Sequence, residues 1–377
     1  MKLLTFNFYK TMHRNNHTGP LADIRVLEFS GMGPAPFCGM LLADLGADVV
    51  RIDRAGGEDY KPEDVESRGR ESIVLDLKDS DDLAIAKALA AKADILIEGF
   101  RPGVMERIGL GPDNLFAINP ALVYGRITGW GQTGPLAKKA GHDLNYLALT
   151  GALHAMGTKE KPAIPLNLVA DFGGGSMYLM MGILSALHHA RNSGKGQVVD
   201  AAMTDGVISL MNMIYGDFNA GTWNDERESN VIDGAAPFYN VYQCADKKWI
   251  SLACIEAQFY QAFTNASELS EAEFSDQWQR DTWTARIKTL EQLFLKKTRD
   301  SWIEFFADQD ICIAPVLNME EAQTHPHNIA RLSFQTIDKI KQANAMPKMS
   351  STPPATPFGA HPKNADQKQI LSRWSID

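Results

Sequence analysis

Residues 24–53, IRVLEFSGMGPAPFCGMLLADLGADVVRID, read as strand, turn, helix and strand. Ile24 to Phe29 is a short run rich in β-branched and aromatic residues, the composition a strand prefers. Gly31-Met-Gly-Pro-Ala-Pro36 then breaks the chain. Pro36 to Gly46 is apolar at helical spacing and is closed by its glycine. Ala47 to Ile52 is a second apolar strand, ended by Asp53. Two strands joined by a helix must lie parallel, so this unit predicts a parallel sheet with helices on its faces.

Further units follow it. Ser72–Leu77 reads as a strand, Asp79–Ala93 as a helix with acidic residues in its first turn and Lys92 near its end, as the helix dipole prefers. Asp94–Ile97 and Ala121–Ile127 are two more strands, each leading into a glycine-rich loop. Such loops gather at one edge of a doubly wound sheet, where ligands bind. Arg54, Arg68, Arg70, Lys78, Arg101 and Arg107 stand along them. Basic loops in an acidic chain point to an anionic small ligand, for example one bearing phosphates; the plain alternative is solvated surface. A nicotinamide dinucleotide is a weaker reading. Gly31-Met-Gly33 is half of a dinucleotide fingerprint and Asp53 lies where a ribose-binding acid would sit, but Pro36 takes the third glycine position and Arg51 and Arg54 flank Asp53.

With 377 residues the chain is long enough for two domains. Its net charge of −9 disfavours nucleic acid and anionic membrane surfaces as partners. Cys38, Cys244, Cys254 and Cys312 are scattered, which implies reduced thiols, a cytoplasmic location and no zinc site. No apolar run is expected to reach membrane-spanning length. Residues 1–19 are expected to form an N-terminal extension rather than a signal peptide, and the final SRWSID carries no peroxisomal address.

Residues 141–176, GHDLNYLALTGALHAMGTKEKPAIPLNLVADFGGGS, hold the chemistry. His142 and Asp171 are too far apart to share a helical face, so they meet only if the fold brings them together. Asp171 lies between an apolar run (Ile164, Leu166, Leu168, Val169) and Phe172. Desolvation there raises a carboxyl's pKa toward neutrality, where it serves as both base and acid. Gly173-Gly174-Gly175 opens a helix, and its free N–H groups would favour an enolate-like oxyanion. The plain alternative makes Asp171 a helix cap and the glycines a turn.

Met177–Arg191 and Val198–Tyr215 read as apolar helices whose methionines are either core or an adaptable apolar surface. Residues 216–234 read as a polar linker. Tyr239–Cys244 and Trp249–Cys254 form a hairpin that begins a smaller α+β domain over 235–318, with Trp- and Phe-rich helices and a last strand at Ile311–Val316. Residues 319–377 read as an arm returning to the large domain, 20–215.

The stretches LADIRVLEFSGMGPAPFCGMLLADLGADVVRID, RGRESIVLDLK, EGFRPGVMERIGLGP, YGRITGWGQTGPLAKKAGHDLNY, LNLVADFGGGSMYL, GKGQVVDAAMTDG and IEAQFY together resemble the CoA-transferase family III superfamily and, within it, the racemases that act on 2-methylacyl-CoA thioesters. The resemblance covers roughly residues 20 to 320. It implies a Rossmann-like parallel-sheet large domain, a smaller α+β domain and an interlocked homodimer. It implies an acyl-CoA substrate, with no cofactor beyond that coenzyme A and no metal. By the same resemblance His142, Asp171 and Glu256 are catalytic. The implied CoA contacts are Arg54, Leu75, Asp76, Leu77, Lys78, Gly99, Phe100, Arg101, Arg107, Gly141, His142, Asp143, Leu144, Asn145 and Tyr146.

Inverting a carbon next to a thioester carbonyl needs a base on each face and something to hold the oxyanion. His142 and Asp171 suit the two faces, and Glu256 would orient or charge-stabilise His142. The rival on the same fold is CoA transfer, with Asp171 as the nucleophile of a covalent anhydride. A transferase has no need of a second base, and the resemblance implies that transferases lack this histidine and carry a glycine-rich loop where this chain has ACIEAQFY. A CoA-binding protein without chemistry is the remaining alternative, disfavoured by the retention of all three polar residues.

Overall fold

The computed structural model describes residues 18–56, 58–354 and 357–376. Most of the expected N-terminal extension, residues 1–17, lies outside them. Six strands, β1 (Arg25–Phe29), β2 (Asp48–Asp53), β3 (Arg70–Val74), β4 (Ile95–Glu98), β5 (Val123–Thr128) and β6 (Gln197–Ala202), form one all-parallel sheet in the order β3-β2-β1-β4-β5-β6. Val26 of β1 pairs with Val49 on one side and Ile95 on the other. The strand order reverses between β1 and β4, and in such sheets the crevice beyond the carboxyl ends at that point is where ligands bind.

Local sequence explains the crossover helices. Helix α1 (Pro34–Asp44) begins on a proline, whose fixed φ suits a first helical turn. Helix α2 (Ser80–Lys92) is capped by Asp79, whose side chain accepts the N–H groups of Asp81 and Asp82. Three more helices matter to the site: α3 (Asp143–Ala148), α4 (Met177–Ser193) and α5 (Met203–Leu210). The core joins Leu27, Phe29, Val50, Ile52 and Leu96 of the strands to Leu89 of α2 and to Trp374 near the C-terminus.

Charge is also buried beneath the sheet's carboxyl edge. Arg70 donates to both oxygens of Glu28 at 2.7 Å, each residue fully buried. Gly39 makes room for that pair, since a Cβ there would stand 2.1 Å from Glu28 Oε2. Arg68 donates to Asp44 at 2.7 Å and is likewise buried. Arg68 and Arg70 are thus structural, and the expectation that they face an anionic ligand is corrected. So is the ribose role of Asp53, which is 1% exposed and bonded to Arg51, Tyr60 and Ser72.

The expected helix Val198–Tyr215 is a strand for its first part. Val198 and Val199 pair with Tyr124 and Gly125 of β5, and the helix starts only at Met203; the β-branched pair favours the sheet. A π-helical segment, Leu168–Ser176, runs directly into α4. The joined helix Leu168–Ser193 is long and apolar enough to cross a membrane, which corrects the expectation that no stretch is. Leu179 and Ile183 instead pack on the sheet, where a Cβ on Gly125 would meet them at 3.1 and 3.0 Å. Of the six methionines in question, Met180, Met203 and Met211 are buried, whereas Met177, Met181 and Met213 are exposed.

The described residues divide into two compact units, those within 18–150, 165–210 and 332–376, and those within 151–164 and 211–331. In the second, β7 (Tyr239–Gln243), β8 (Trp249–Ala253) and β9 (Ile313–Val316) form an antiparallel sheet in that order. Phe238, Tyr242, Phe263, Phe294, Trp302 and Phe306 fill its core. Residues 216–234 are more than a linker: they carry the end of helix Asn212–Asn219 and a knot around Asn230, which is 2% exposed and bonded to Asn224 and Asp233. The terminal segment adds a hairpin, β10 (Phe334–Ile337) and β11 (Ile340–Ala343), to the first unit. Trp374 anchors its end, fully buried and donating to Asp48 Oδ2 at 2.9 Å.

Candidate active site

The segment after β5 is clamped by aromatic packing. Gly129 and Gly141 both lie against the ring of Tyr146, and a Cβ on either would stand 1.9 and 2.7 Å from it. Trp130 packs edge-on to the same ring at 4.8 Å, and the Tyr146 hydroxyl donates to the Gly141 carbonyl. These contacts set His142 just ahead of α3, with its side chain exposed. Its backbone N–H donates to Asn145 Oδ1 at 3.1 Å, and its carbonyl accepts the Asn145 N–H at 2.7 Å. The next residue, Asp143, points inward. It is 8% exposed, and its Oδ2 accepts the N–H of Ala170 at 3.0 Å and of Asp171 at 2.8 Å.

Asp171 therefore sits on the π-helical segment beside the start of α3. Neighbours lock that segment on both sides. Phe172 stacks on Phe37 of α1 at 4.4 Å, and Ser176 Oγ donates to the Pro34 carbonyl at 2.7 Å. On the far side the segment packs on α5. A Cβ on Gly174 would lie 2.8 Å from Val207 N, and one on Gly206 would lie 1.9 Å from the Gly174 carbonyl oxygen. Gly174 and Gly175 are buried and serve this close packing. For these two glycines the reading as a place for a ligand or oxyanion is corrected, as is that of Asp171 as a cap, for the chain is already helical on both sides of it.

The carboxyl of Asp171 is half-buried and faces Gly33, where a Cβ would stand 3.5 Å from Oδ2. Burial pushes its pKa up to about 6; the charge of Asp143 adds to the rise, while a bond from the Asn167 side chain and the proximity of His142 oppose it. The direction is as the sequence implied, but the cause differs. Ile164, Leu166 and Leu168 are exposed, so the packing of α1 against the π-helical segment supplies the dry surroundings. Burial also raises Glu66 and Tyr146, both of which feel the charge of Asp171; Arg101 acts the other way on Tyr146. A cleft of about 580 Å³ is lined among others by Met32, Gly33, Tyr60, Glu66 and Arg70, of which Gly33 faces the Asp171 carboxyl.

Of the expected CoA contacts, Arg54, Lys78, Gly99 and Arg101 are exposed in the segments that follow β2, β3 and β4, and Arg107 is exposed at the end of helix Val104–Arg107. Leu75 is buried, while Leu77 and Phe100 pack against the core. Asp76 is exposed and accepts the Lys78 N–H at 3.1 Å. Leu144 is 39% exposed. Glu256 belongs to the second unit, exposed at the start of helix Ala257–Ala266, its carbonyl accepting the Phe259 and Tyr260 N–H groups. Sequence reading missed Gly33, Glu66 and Asn167. Asn167 left a signal, one helical turn before Asp171, and Gly33 left one as half of a fingerprint for another ligand.

Comparison with known proteins identifies the family and the fold. The sequence profile of CoA-transferase family III matches residues 21–367. The chain is 42% identical over 337 residues to the alpha-methylacyl-CoA racemase of Mus musculus, covering 88% of this chain and 87% of that one. It is 40% identical over 344 residues to the alpha-methylacyl-CoA racemase of Homo sapiens, covering 91% and 90%. A crystal structure of a CaiB/BaiF family protein from Brucella suis superposes with a TM-score of 0.82 at 23% identity, covering 95% of this chain and all of that one, which shows the shared fold.

Proposed function

The chain belongs to CoA-transferase family III, and on that footing we propose that it is an isomerase, a racemase interconverting (R)- and (S)-2-methylacyl-CoA thioesters by 1,1-proton transfer. The observation that carries this reading is the meeting of His142 and Asp171 in one unit, with the Asp171 carboxyl pushed up to about 6. A carboxyl with that pKa takes or gives a proton near neutral pH with little bias.

One of the two groups removes the C2 hydrogen as a proton, the C–H electron pair moves into an enolate, and the other group delivers a proton to the opposite face. The roles exchange with direction. Glu256 orients or charge-stabilises His142 as its positioning residue. The coenzyme A of the substrate lies along Arg54, Lys78, Arg101 and Arg107, whose exposed cations suit its phosphates. The chemistry calls for no cofactor besides that coenzyme. The active form is a homodimer. Support comes from Met177, Met181, Ile208 and Leu210 of the first unit, each 44–58% exposed, a density of apolar side chains that a partner surface would cover. The four free cysteines fit a cytoplasmic setting.

The test is incubation of one epimer of a 2-methylacyl-CoA in deuterated water without added cofactor. Uptake of deuterium at C2 together with loss of epimeric purity is expected. Transfer of CoA to a free carboxylic acid without such exchange would sink the reading in favour of CoA transfer through Asp171.

A further inference from the structure

We propose that Asp143 is the positioning residue of Asp171: its buried carboxylate fixes the Ala170–Asp171 backbone of the π-helical segment and holds a negative charge against the Asp171 carboxyl. The assignment of a catalytic purpose to this arrangement rests on the racemase reading. Sequence resemblance places Asp143 among the coenzyme A contacts, but its side chain is 8% exposed and turned inward.

Three observations carry the proposal. First, the opening N–H groups of any helix lack partners within it, and here Ala170 is fully buried, so its N–H has no solvent to turn to. Asp143 Oδ2 accepts that N–H and the N–H of Asp171 itself, at 3.0 and 2.8 Å. The catalytic carboxyl is thus held through its own backbone. Second, the other oxygen, Oδ1, is buried and has no hydrogen-bond partner. Its charge is therefore poorly compensated and acts on what lies nearby. Third, the groups facing Asp171 leave Asp143 as the dominant charge. His142 and Tyr146 come from the start of α3, Glu66 from the turn Val65–Ser67 and Asn167 from Asp171's own segment, while the β1–α1 loop presents Gly33. Among them Asp143 makes the largest contribution to the rise of Asp171 after burial itself.

The arrangement separates two tasks that substitution can take apart. Asp143→Asn keeps an oxygen that accepts both N–H groups but removes the charge. Asp143→Glu keeps the charge but displaces the acceptor. Each full-length protein, labelled with ¹³C at the aspartate carboxyl, is titrated without substrate, with Asp171→Asn identifying the Asp171 signal. In Asp143→Asn the Asp171 midpoint should fall from about 6 toward the ordinary 3.8. The pH limb of C2 deuterium exchange should move down with it, at unchanged KM for the CoA thioester. In Asp143→Glu the midpoint should stay raised while kcat drops by about 10-fold or more, as expected for a displaced reacting group. An unmoved midpoint in Asp143→Asn, or an unmoved kcat in Asp143→Glu, would overturn the proposal. The titration needs no turnover, so its outcome is separate from that of the racemase reading, which is decided by C2 deuterium uptake with loss of epimeric purity in the unsubstituted protein.

Discussion

Gly33 is the residue of the β1–α1 loop that faces the Asp171 carboxyl: a Cβ there would stand 3.5 Å from Oδ2, on a backbone held at φ +75° and ψ −117°. That conformation is open to glycine and strained for other residues. Gly33→Ala should therefore cost about 1–3 kcal/mol of stability and, by crowding Asp171, lower kcat by roughly 10-fold or more. Thermal melting and C2 deuterium exchange measure the two effects. A destabilised variant with full turnover would show that the carboxyl is indifferent to this contact.

Asp171 should weaken the fold that holds it. Its folded pKa is raised from 3.8 to about 6, chiefly by burial. The sign follows: the protonated form is favoured in the folded state, so the contribution is fully present below about pH 4 and is lost as pH rises through about 6. A rise of about two units corresponds to on the order of 1–3 kcal/mol once partial solvent access is allowed for. Asp171→Asn should accordingly raise Tm relative to the unsubstituted protein at pH 8, and little or not at all at pH 4, while proton transfer through Asp171 disappears. Melting curves across that range decide it. A gap in Tm that does not widen with pH would rule out burial as the cause.

The basic residues along the strand ends divide into two kinds. Arg70 is fully buried against Glu28, and Arg70→Ala leaves that carboxylate uncompensated, at a cost of about 3–5 kcal/mol. Arg101 is exposed. Arg101→Ala should leave stability within about 0.5 kcal/mol and raise KM for the CoA thioester by roughly 10-fold, the worth of one charge-assisted hydrogen bond. Denaturant unfolding and saturation kinetics on the pair test the division. A soluble, stable Arg70→Ala protein with weakened thioester binding would reverse the assignment of Arg70.

The same two arginines show what sequence can and cannot carry. Apolar runs fixed by periodicity placed β1, α1 and β2 within two residues of where they lie, because burial of those runs leaves few alternatives. That Arg70 pairs beneath the sheet depends on Glu28, 42 positions away, and no local pattern encodes that. Gly173-Gly174-Gly175 likewise signals close approach. That the approaching partner is α5, through Gly206 and Val207, is a tertiary fact. Val198 and Val199 were legible as strand by their branching, but the long apolar stretch around them masked it. At the site, His142 and Asp171 stood out by type, whereas Gly33 stood out only as half of a dinucleotide fingerprint, which says nothing of the Asp171 carboxyl it faces.

If His142 and Asp171 each serve one face of C2, removing one must damage the two half-reactions unequally. His142→Ala should abolish proton removal from one epimer, yet Asp171 remains able to exchange the proton of the other without inversion. Asp171→Ala should show the mirror pattern. A positioned general base is worth about 10²–10⁴-fold, so the asymmetry lies well above assay error. Residual exchange will be weak, since groups acting as a unit do not contribute additively. The epimer that depends on Asp171 as base should also lose kcat/KM as pH falls below about 6, because protonation removes the base, and that limb should vanish in Asp171→Ala. Glu256→Gln should lower turnover with the affinity for a CoA ester intact, since its proposed partner is the imidazole and not the coenzyme. Epimer-resolved deuterium exchange on each variant, with ester affinity as the control for folding, reads all of these. Equal and undiminished exchange of both epimers by His142→Ala would mean that Asp171 alone reaches both faces, and the assignment of two bases would have to be abandoned.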